Sequence, residues 1–540
     1  MSPFARERIC LFSALVLAAF WTANAPSAAP QIPDVIVYDV GVDGGNTNDI
    51  HYYGQNGGIA AYSIATQSCN KGTDTVDWFS GSSTLHPVIA QNMFRYKGGR
   101  FEHVGQSWLK HGFCAVNEIE AFCAPCQSTP CDSLGIGCAD TYWATLNDGG
   151  SGQSKRWVNA TNGTHTHSGG PSGNTTIRGR LQVAVSDIDP AQNSGAQWFI
   201  EGHYVTADDA QAGASANNAS WRRVNVLTVN NIDGGGATQR EEPAIFAWKT
   251  QDAMVEIQEA QNIETGGAKT SFYVGYRVTA LGSGRWSYEY AIQNLNSDQS
   301  AGSLSIPVHP QAMVTNIDFH DVAYHSGDPY DGTNWPGVKN AGEIRWATTP
   351  HSVNVNANAM RWGTLYNFRF IANSAPARGP ITIGLFKPSV NTDIQVNDVW
   401  VPTEIPVHGG HASQNGPPAP LSGGGISVPL VVSRPGTRPN PDVLVPLTNA
   451  TVGGRFETTL ELDGVLESVL FISAGQAEGN YDRLGEVLIQ TPMQIVDGST
   501  LAIPNDARLA GRTFSVQAAV RTETGWRLTN ALDVTIGAAQ

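Results

Sequence analysis

Apolar and polar positions alternate along much of the chain, the signature of strands buried on one face. The alternation is clearest in SFYVGYRVTALGSGRWSYEYAIQN. There Phe272, Val274, Tyr276 and Val278 share one face, as do Trp286, Tyr288, Tyr290 and Ile292 on the return run. LGSG supplies the turn between them. The same rhythm predicts strands in Asp34–Val42, IAAYSIATQ, LQVAVSDID, AQWFIEGHYV, SLSIPV, TLYNFRFIA and ITIGLF. Helix-like patterning is confined to Ala207–Ala212, behind Thr206 as a cap, and to Gln251–Ala260. The expected class is mainly β, an antiparallel β-sandwich body.

One stretch departs from simple alternation. LHPVIAQNMFRYKGGRFEHVGQSWLKH, from Leu85 to His111, holds His86, His103 and His111 with Asn92, Arg95, Gln106, Trp108 and Lys110. Gly98–Gly99 reads as a turn, and the resulting hairpin brings His86 and His111 together.

The chain has 540 residues, too many for one ordinary core. Gly 58 and Pro 30 suit short strands and turns. A formal net charge of −15 disfavours nucleic acid and anionic membranes as partners. Arg6 and Arg8, the apolar run Leu11–Trp21 and the small residues after it form a secretory signal, expected over 1–29. No later run is long enough to span a bilayer. The expected location is therefore secreted, periplasmic or cell-surface.

Setting Cys10 aside with the signal leaves Cys69, Cys114, Cys123, Cys126, Cys131 and Cys138. An even set in an exported protein reads as three disulfides, with the pairing open; a zinc or redox site on Cys123 and Cys126 is the rival. The organisation expected is a β, disulfide-rich region over 30–177, a β-sandwich packed with it over 178–407, and a Gly/Pro-rich linker over 408–441. A C-terminal immunoglobulin-like sandwich, an accessory module, is expected over 442–540.

Three constellations carry possible chemistry. In the hairpin, His86 and His111 suit metal ligation or an acid–base pair, with Asn92, Arg95, Gln106 and Lys110 to steady an oxyanion or carboxylate. His165 and His167, one residue apart on an extended segment, point the same way and suit one ion. The run Asp318–Gly332 holds His320, Asp321, Tyr324, His325, Asp328 and Asp331. Its histidines and carboxylates suit a transition metal, and DPYDG alone suits calcium at Asp328 and Asp331. Against each stands a structural reading: hydrogen-bond networks in the hairpin, an exposed loop around His165, a turn at Asp328 and Asp331. Trp108, Trp143, Trp198, Trp221, Trp335 and Trp362 can stack sugar rings, but core positions account for most such residues. Walker A, GxSxG, HExxH and CxxCH motifs are missing, so neither a nucleotide nor haem is expected.

HPVIAQNMFR, GQSWLKHGF, SYEYAIQNLNSDQ, FHDVAYHSGDPYDG and RWGTLYNFRF resemble segments of large secreted bacterial β-rich proteins. That resemblance covers most of the mature chain and implies export and β architecture, with no activity attached. GTHTH resembles the HTH element that supplies two ligands in peptidylglycine monooxygenase-like copper enzymes, themselves paired β-sandwiches. The match spans a few residues and implies a companion methionine, for which Met313 is available.

The leading expectation is a secreted metal-dependent enzyme, with copper or zinc, acting on an extracellular polymer or small molecule. In it His86, His111, His165, His167, His320 and His325 converge, with Asp321 and Asp328 as further ligands. A metal-free polysaccharide lyase or hydrolase would use His111 or Tyr324 as acid or base, with Arg95 and Lys110 on a substrate carboxylate. A non-catalytic adhesive or carbohydrate-binding surface protein, held by disulfides and calcium, is the third reading. Oligomeric state is open.

Overall fold

A computed structural model describes residues 32–403 apart from 43–47, 81–82, 120–122, 151, 167–169 and 283. Beyond them it describes Leu430–Arg434 and the later segments that form the C-terminal strands. The expected signal and nearly all of the expected linker lie outside the described residues. No helix among them is long and apolar enough to cross a membrane.

The fold is mainly β, as the alternation requires, and its sheets are antiparallel. Residues 32–403 stack four of them. The first joins Val35–Val40, Thr66–Asn70 and Ala139–Tyr142. The second runs in the order Asn231–Gly234, Ala219–Thr228, Gln197–Val205, Val88–Lys97, Arg100–Gln106, Leu181–Ala184, Ile59–Ile64, Ile50–Asn56, with Lys110–His111 paired to Val88–Lys97. This sheet takes strands from both sides of residue 177, so the change of pattern there marks no break in it. The third comprises Glu256–Ile263, Lys269–Gly282, Arg285–Asn294, Thr364–Ala372 and Val314–His320. The fourth comprises Gly337–Lys339, Glu343–Ala347, Ala301–Pro307, Ala377–Leu385 and Asp393–Val401.

Each interlayer core follows from strand parity. In Val88–Lys97, Ile89 and Met93 meet Val35, Val37, Val40, Ile200 and Tyr204 on one face. Phe94 meets Phe101, Phe199, Trp248, Ala291 and Leu365 on the other. A strand buried on both faces loses water on both, so each of its large apolar side chains contributes about 1.5–3 kcal/mol, and Phe94→Ala costs about 3–5 kcal/mol. Between the third and fourth sheets Tyr276, Tyr288, Phe368 and Phe370 pack on Leu304, Ile344, Ile383 and Val396.

The two predicted hairpins form. Gly98 and Gly99 take φ of 58° and 82° between Val88–Lys97 and Arg100–Gln106, a left-handed conformation that glycine adopts without Cβ strain. The C-terminal strands include a five-stranded sheet, Leu430–Arg434, Gly525–Thr535, Thr513–Thr522, Glu467–Ser473 and Gln494–Val496, over a core with Phe456, Phe514, Val516 and Leu532.

Local expectations fail in four places, the first being IAAYSIATQ, which breaks at Ala65 into Ile59–Ile64 of the second sheet and Thr66–Asn70 of the first. The helix expected over Gln251–Ala260 is instead Ile245–Gln251 followed by the strand Glu256–Ile263, because every residue of that strand pairs with Lys269–Gly282 and the ladder overrides local propensity. The Ala207–Ala212 helix forms, but Thr206 Oγ1 bonds the Asp208 carboxylate (2.8 Å) rather than capping it. LQVAVSDID leaves the sheet at Ala184 and turns through the short helix Val185–Ile188.

The six cysteines form three disulfides, Cys69–Cys123, Cys114–Cys131 and Cys126–Cys138. Cys123 and Cys126 bond different partners, which removes the zinc or redox alternative at that pair.

Candidate metal centre

Three segments meet at one end of the second sheet. His86 lies one residue, Pro87, ahead of the strand Val88–Lys97, and the Phe79 N–H donates to the Leu85 carbonyl (2.8 Å), closing the loop that carries it. His111 ends the short strand Lys110–His111 opposite Val88, and the Gly112 N–H donates to the Pro87 carbonyl (2.8 Å). The Cys114–Cys131 bridge pins the chain just beyond. His165 comes from the irregular stretch after Asn147, held by an antiparallel bridge to Val158 and by the Thr166 N–H on the Trp157 carbonyl (3.1 Å).

These elements gather one ligand nitrogen each from His86, His111 and His165 within 4.8 Å of one another. His86 and His165 are buried and His111 is half-buried, so the cluster is enclosed with one edge toward solvent. His86 Nδ1 bonds the Phe79 carbonyl (2.9 Å), which only accepts, so that nitrogen carries the proton and Nε2 turns its lone pair inward. His86 Nε2 stands 2.8 Å from His111 Nδ1. With metal–nitrogen bonds of about 2.0–2.1 Å, cis ligands at a right angle are about 2.9 Å apart and tetrahedral ones about 3.4 Å. The pair therefore needs only a small adjustment to chelate an ion.

Among the described residues, the expected six-histidine convergence is thus one of three histidines. His167 lies outside the described residues. His320 and His325 are not members of the group: His320 ends the strand Val314–His320 opposite Asn367, and the loop that carries His325 is anchored elsewhere. Ser326 exchanges hydrogen bonds with Gln182 (2.7 and 3.0 Å), and the His325 ring lies 5.0 Å from Trp108 with Nδ1 on the Ser326 carbonyl. Burial lowers the His325 pKa to about 4. Asp321 accepts from Asn358 Nδ2, Asp328 accepts from Ser154 Oγ, and Asp331 accepts from the Thr333 N–H (2.9 Å) and hydroxyl (2.6 Å) in its own turn. That is the turn reading of DPYDG, and Asp328 and Asp331 form no metal-binding group among the described residues. Met313 is 66% exposed on the far sandwich, its N–H bonded to Asn373 Oδ1 (2.7 Å).

The other polar groups singled out for catalysis are held in structural contacts. Arg95 pairs with Glu102 (2.8 Å) and Asp187 (2.9 Å), leaving little to grip a substrate carboxylate. The Tyr324 hydroxyl donates to the Ala359 carbonyl (2.6 Å), and burial raises its pKa, which disfavours it as a base. Lys110 Nζ donates to the His111 carbonyl (2.7 Å) over the Phe113 ring, and burial lowers its pKa to about 8. Asn92 Nδ2 donates to Glu201 Oε1 (2.7 Å), and Gln106 Nε2 to the Ala323 carbonyl (3.1 Å). Of the six tryptophans named from the sequence, Trp108, Trp198, Trp221, Trp335 and Trp362 are buried, and Trp143 is 50% exposed.

Sequence reading missed Lys155, Glu201 and His203, which lie buried on the same sheet face as Asn92. A signal was present. In QWFIEGHYV, Glu201 and His203 follow Phe199 on one parity of a strand whose other parity, Trp198, Ile200 and Tyr204, is core. Polar groups on the second face of a strand buried on both sides must meet partners across a layer. No protein-family model and no curated protein matches the chain.

Proposed function

We propose that the protein is an exported metal-dependent enzyme whose three-histidine centre takes one transition-metal ion, copper or zinc, and acts on extracellular material. The convergence of His86, His111 and His165 carries this reading. Imidazole nitrogen is the ligand type suited to both metals, and three protein ligands leave a position for water or substrate. The three disulfides support an oxidising compartment, as does the expected signal. The resemblance of GTHTH to a copper-binding element favours copper, with His165 supplying one of its two histidines.

The bound ion would supply Lewis acidity or oxygen activation. The chain's own residues do the positioning. Phe79 fixes the His86 ring and its tautomer through the Nδ1 bond. Leu109 and Val158 pack in one apolar cluster with Val88 and Trp362, which keeps water from the buried side of the site. His111, half-buried, marks the side from which substrate approaches. The C-terminal strands are read as an immunoglobulin-like accessory module that holds the enzyme near its substrate.

Elemental analysis of the dialysed protein, beside His86→Ala, His111→Ala and His165→Ala, tests the reading. About one copper or zinc per chain, lost in each variant, is expected. Calcium alone, or no metal in the unaltered protein, rejects it and favours the adhesive alternative.

A further inference from the structure

A second polar site lies deeper on the same sheet face and does not depend on the metal reading. Register sets His203 opposite Ala90, two residues beyond the row His111–Val88–Val205. Val88, Ala90 and Val205 of that face pack with Leu109, Val158, Ala160 and Trp362 as an apolar cluster. Beyond it Lys155, delivered by the short 3-10 turn Lys155–Trp157, reaches over the sheet.

Lys155 Nζ donates to Asn92 Oδ1 and Gln106 Oε1, both at 3.3 Å and both neutral. An ammonium has a third N–H to place. The carboxylates that act on it from nearby are already engaged. Glu201 accepts from Asn92 Nδ2 (2.7 Å), the Ala244 N–H (2.7 Å) and Gln293 Nε2 (2.9 Å), and Asp328 accepts from Ser154 Oγ. Burial also raises the pKa of both acids, which weakens their ability to balance the lysine charge. His203 is 1% exposed, and its Nδ1 makes no hydrogen bond.

Lys155 Nζ and His203 Nδ1 face a common gap. A Cβ built on Gly363 would stand 3.4 Å from Lys155 Nζ and 3.9 Å from His203 Nδ1, an ordinary contact distance from each. The Gly363 N–H is spent on the Asn294 carbonyl (2.7 Å), which holds the glycine at φ 70° beneath the gap. Trp362 closes one side, with Lys155 Nζ 5.5 Å and the His203 ring 5.7 Å from its ring. The gap is thus bordered by Lys155 Nζ, by the unpartnered His203 Nδ1, by the Trp362 ring and by Gly363, and no carboxylate among the described residues is hydrogen-bonded to Lys155 Nζ. A buried cation without a direct counter-ion is costly, and a bound anion removes that cost.

We propose that this gap binds one small monovalent anion, a halide or the carboxylate of a small acid, between Lys155 Nζ and His203 Nδ1. The anion takes the third lysine N–H and a histidine N–H, and neutralises the ammonium inside the fold.

Crystals of the full chain grown with sodium bromide, with and without competing sodium formate, test the proposal directly. An anomalous bromide peak between Lys155 and His203 establishes a halide site. Loss of that peak to formate density extends the site to carboxylates. In solution, bromide titrated at constant ionic strength against sulfate gives a saturable rise in Tm, absent from Lys155→Met and His203→Gln. A water at the gap with no anomalous peak overturns the proposal, as does a saturable rise that persists undiminished in both variants. The bromide peak in the unaltered protein decides the matter even where a variant does not fold.

Discussion

His86 Nε2 lies 2.8 Å from His111 Nδ1, across a separation of 25 residues that the hairpin Val88–Lys97/Arg100–Gln106 folds back on itself. The Phe79 carbonyl holds the His86 proton on Nδ1, so in the metal-free protein the His111 Nδ1–H donates to His86 Nε2. A bound metal ion would be held by the same two nitrogens in place of that hydrogen bond. Ligand binding stabilises the folded state by RT ln(1 + [L]/Kd), about 2.7 kcal/mol at a hundredfold excess over Kd. Chelation is therefore expected to lower Tm reversibly, and His165→Ala to remove the chelator's effect. An identical chelator response in His165→Ala and the unaltered protein would exclude the three-histidine centre.

Gly163 anchors the loop that delivers His165. It takes φ 70°, and a Cβ there would stand 2.3 Å from both the carbonyl carbon and oxygen of Thr206. Gly163→Ala must push the loop off that strand end, at a cost of about 1–3 kcal/mol. The expected result is weaker metal binding by tenfold or more, with His86 and His111 intact. Unaltered metal affinity in a folded Gly163→Ala protein would show that His165 is not needed as a ligand.

A buried charge network ties the second sheet to the third. Arg369 donates to Glu102 (3.0 Å) and forms an ion pair with Glu289 (3.3 Å), and Arg95 also holds Glu102 (2.8 Å). Burial works to raise the Glu102 pKa, but the His320 charge, the Arg95 hydrogen bond and Arg369 together hold it down at about 2. For Glu289 burial prevails over Arg369 and Arg100 and sets it at about 7. The depressed Glu102 contributes stability above its unfolded value near 4.5 that is lost as pH falls toward 2. The raised Glu289 contributes stability below 4.5 that is lost as pH rises through 7. Each amounts to about 3 kcal/mol at most. Urea unfolding is expected to show greatest stability near pH 5, and Glu289→Gln to flatten the fall from pH 5 to 8. Equal slopes in both proteins over that range would rule this assignment out.

Loop closure ranks the disulfides. Cys69–Cys123 spans 54 residues and Cys126–Cys138 spans 12, which corresponds to about 4 and about 3 kcal/mol in the chain-entropy model. Replacing Cys69 and Cys123 together by serine is expected to cost more stability than replacing Cys126 and Cys138. Both losses are read from denaturant midpoints, and the opposite order would show that native packing, not loop length, sets the ranking.

Period-two alternation was legible in the chain because a strand's two faces differ in exposure, and it located the Phe272–Ile292 hairpin, while the glycine pair Gly98–Gly99 marked the other turn. It misread Gln251–Ala260 because an edge strand wet on one face carries the same polar residues as an exposed helix. The six cysteines left beyond the expected signal announced disulfides, but spacing could not choose the partners, which depend on Thr66–Asn70 bringing Cys69 to the loop of Cys123. Likewise the chain showed that His86 and His111 meet, since a hairpin is a local object. That His165 joins them, while His325 turns to Trp108 instead, depends on how a long irregular stretch crosses a finished sheet. Lys155 meets Gln106 across 49 residues, and His103 meets the Leu365 N–H across 262. The sequence by itself determined which face is apolar in the strands it revealed, and that the six cysteines beyond the expected signal can pair. Only the tertiary structure decided which polar groups share a site, because layer stacking joins residues that local periodicity does not relate.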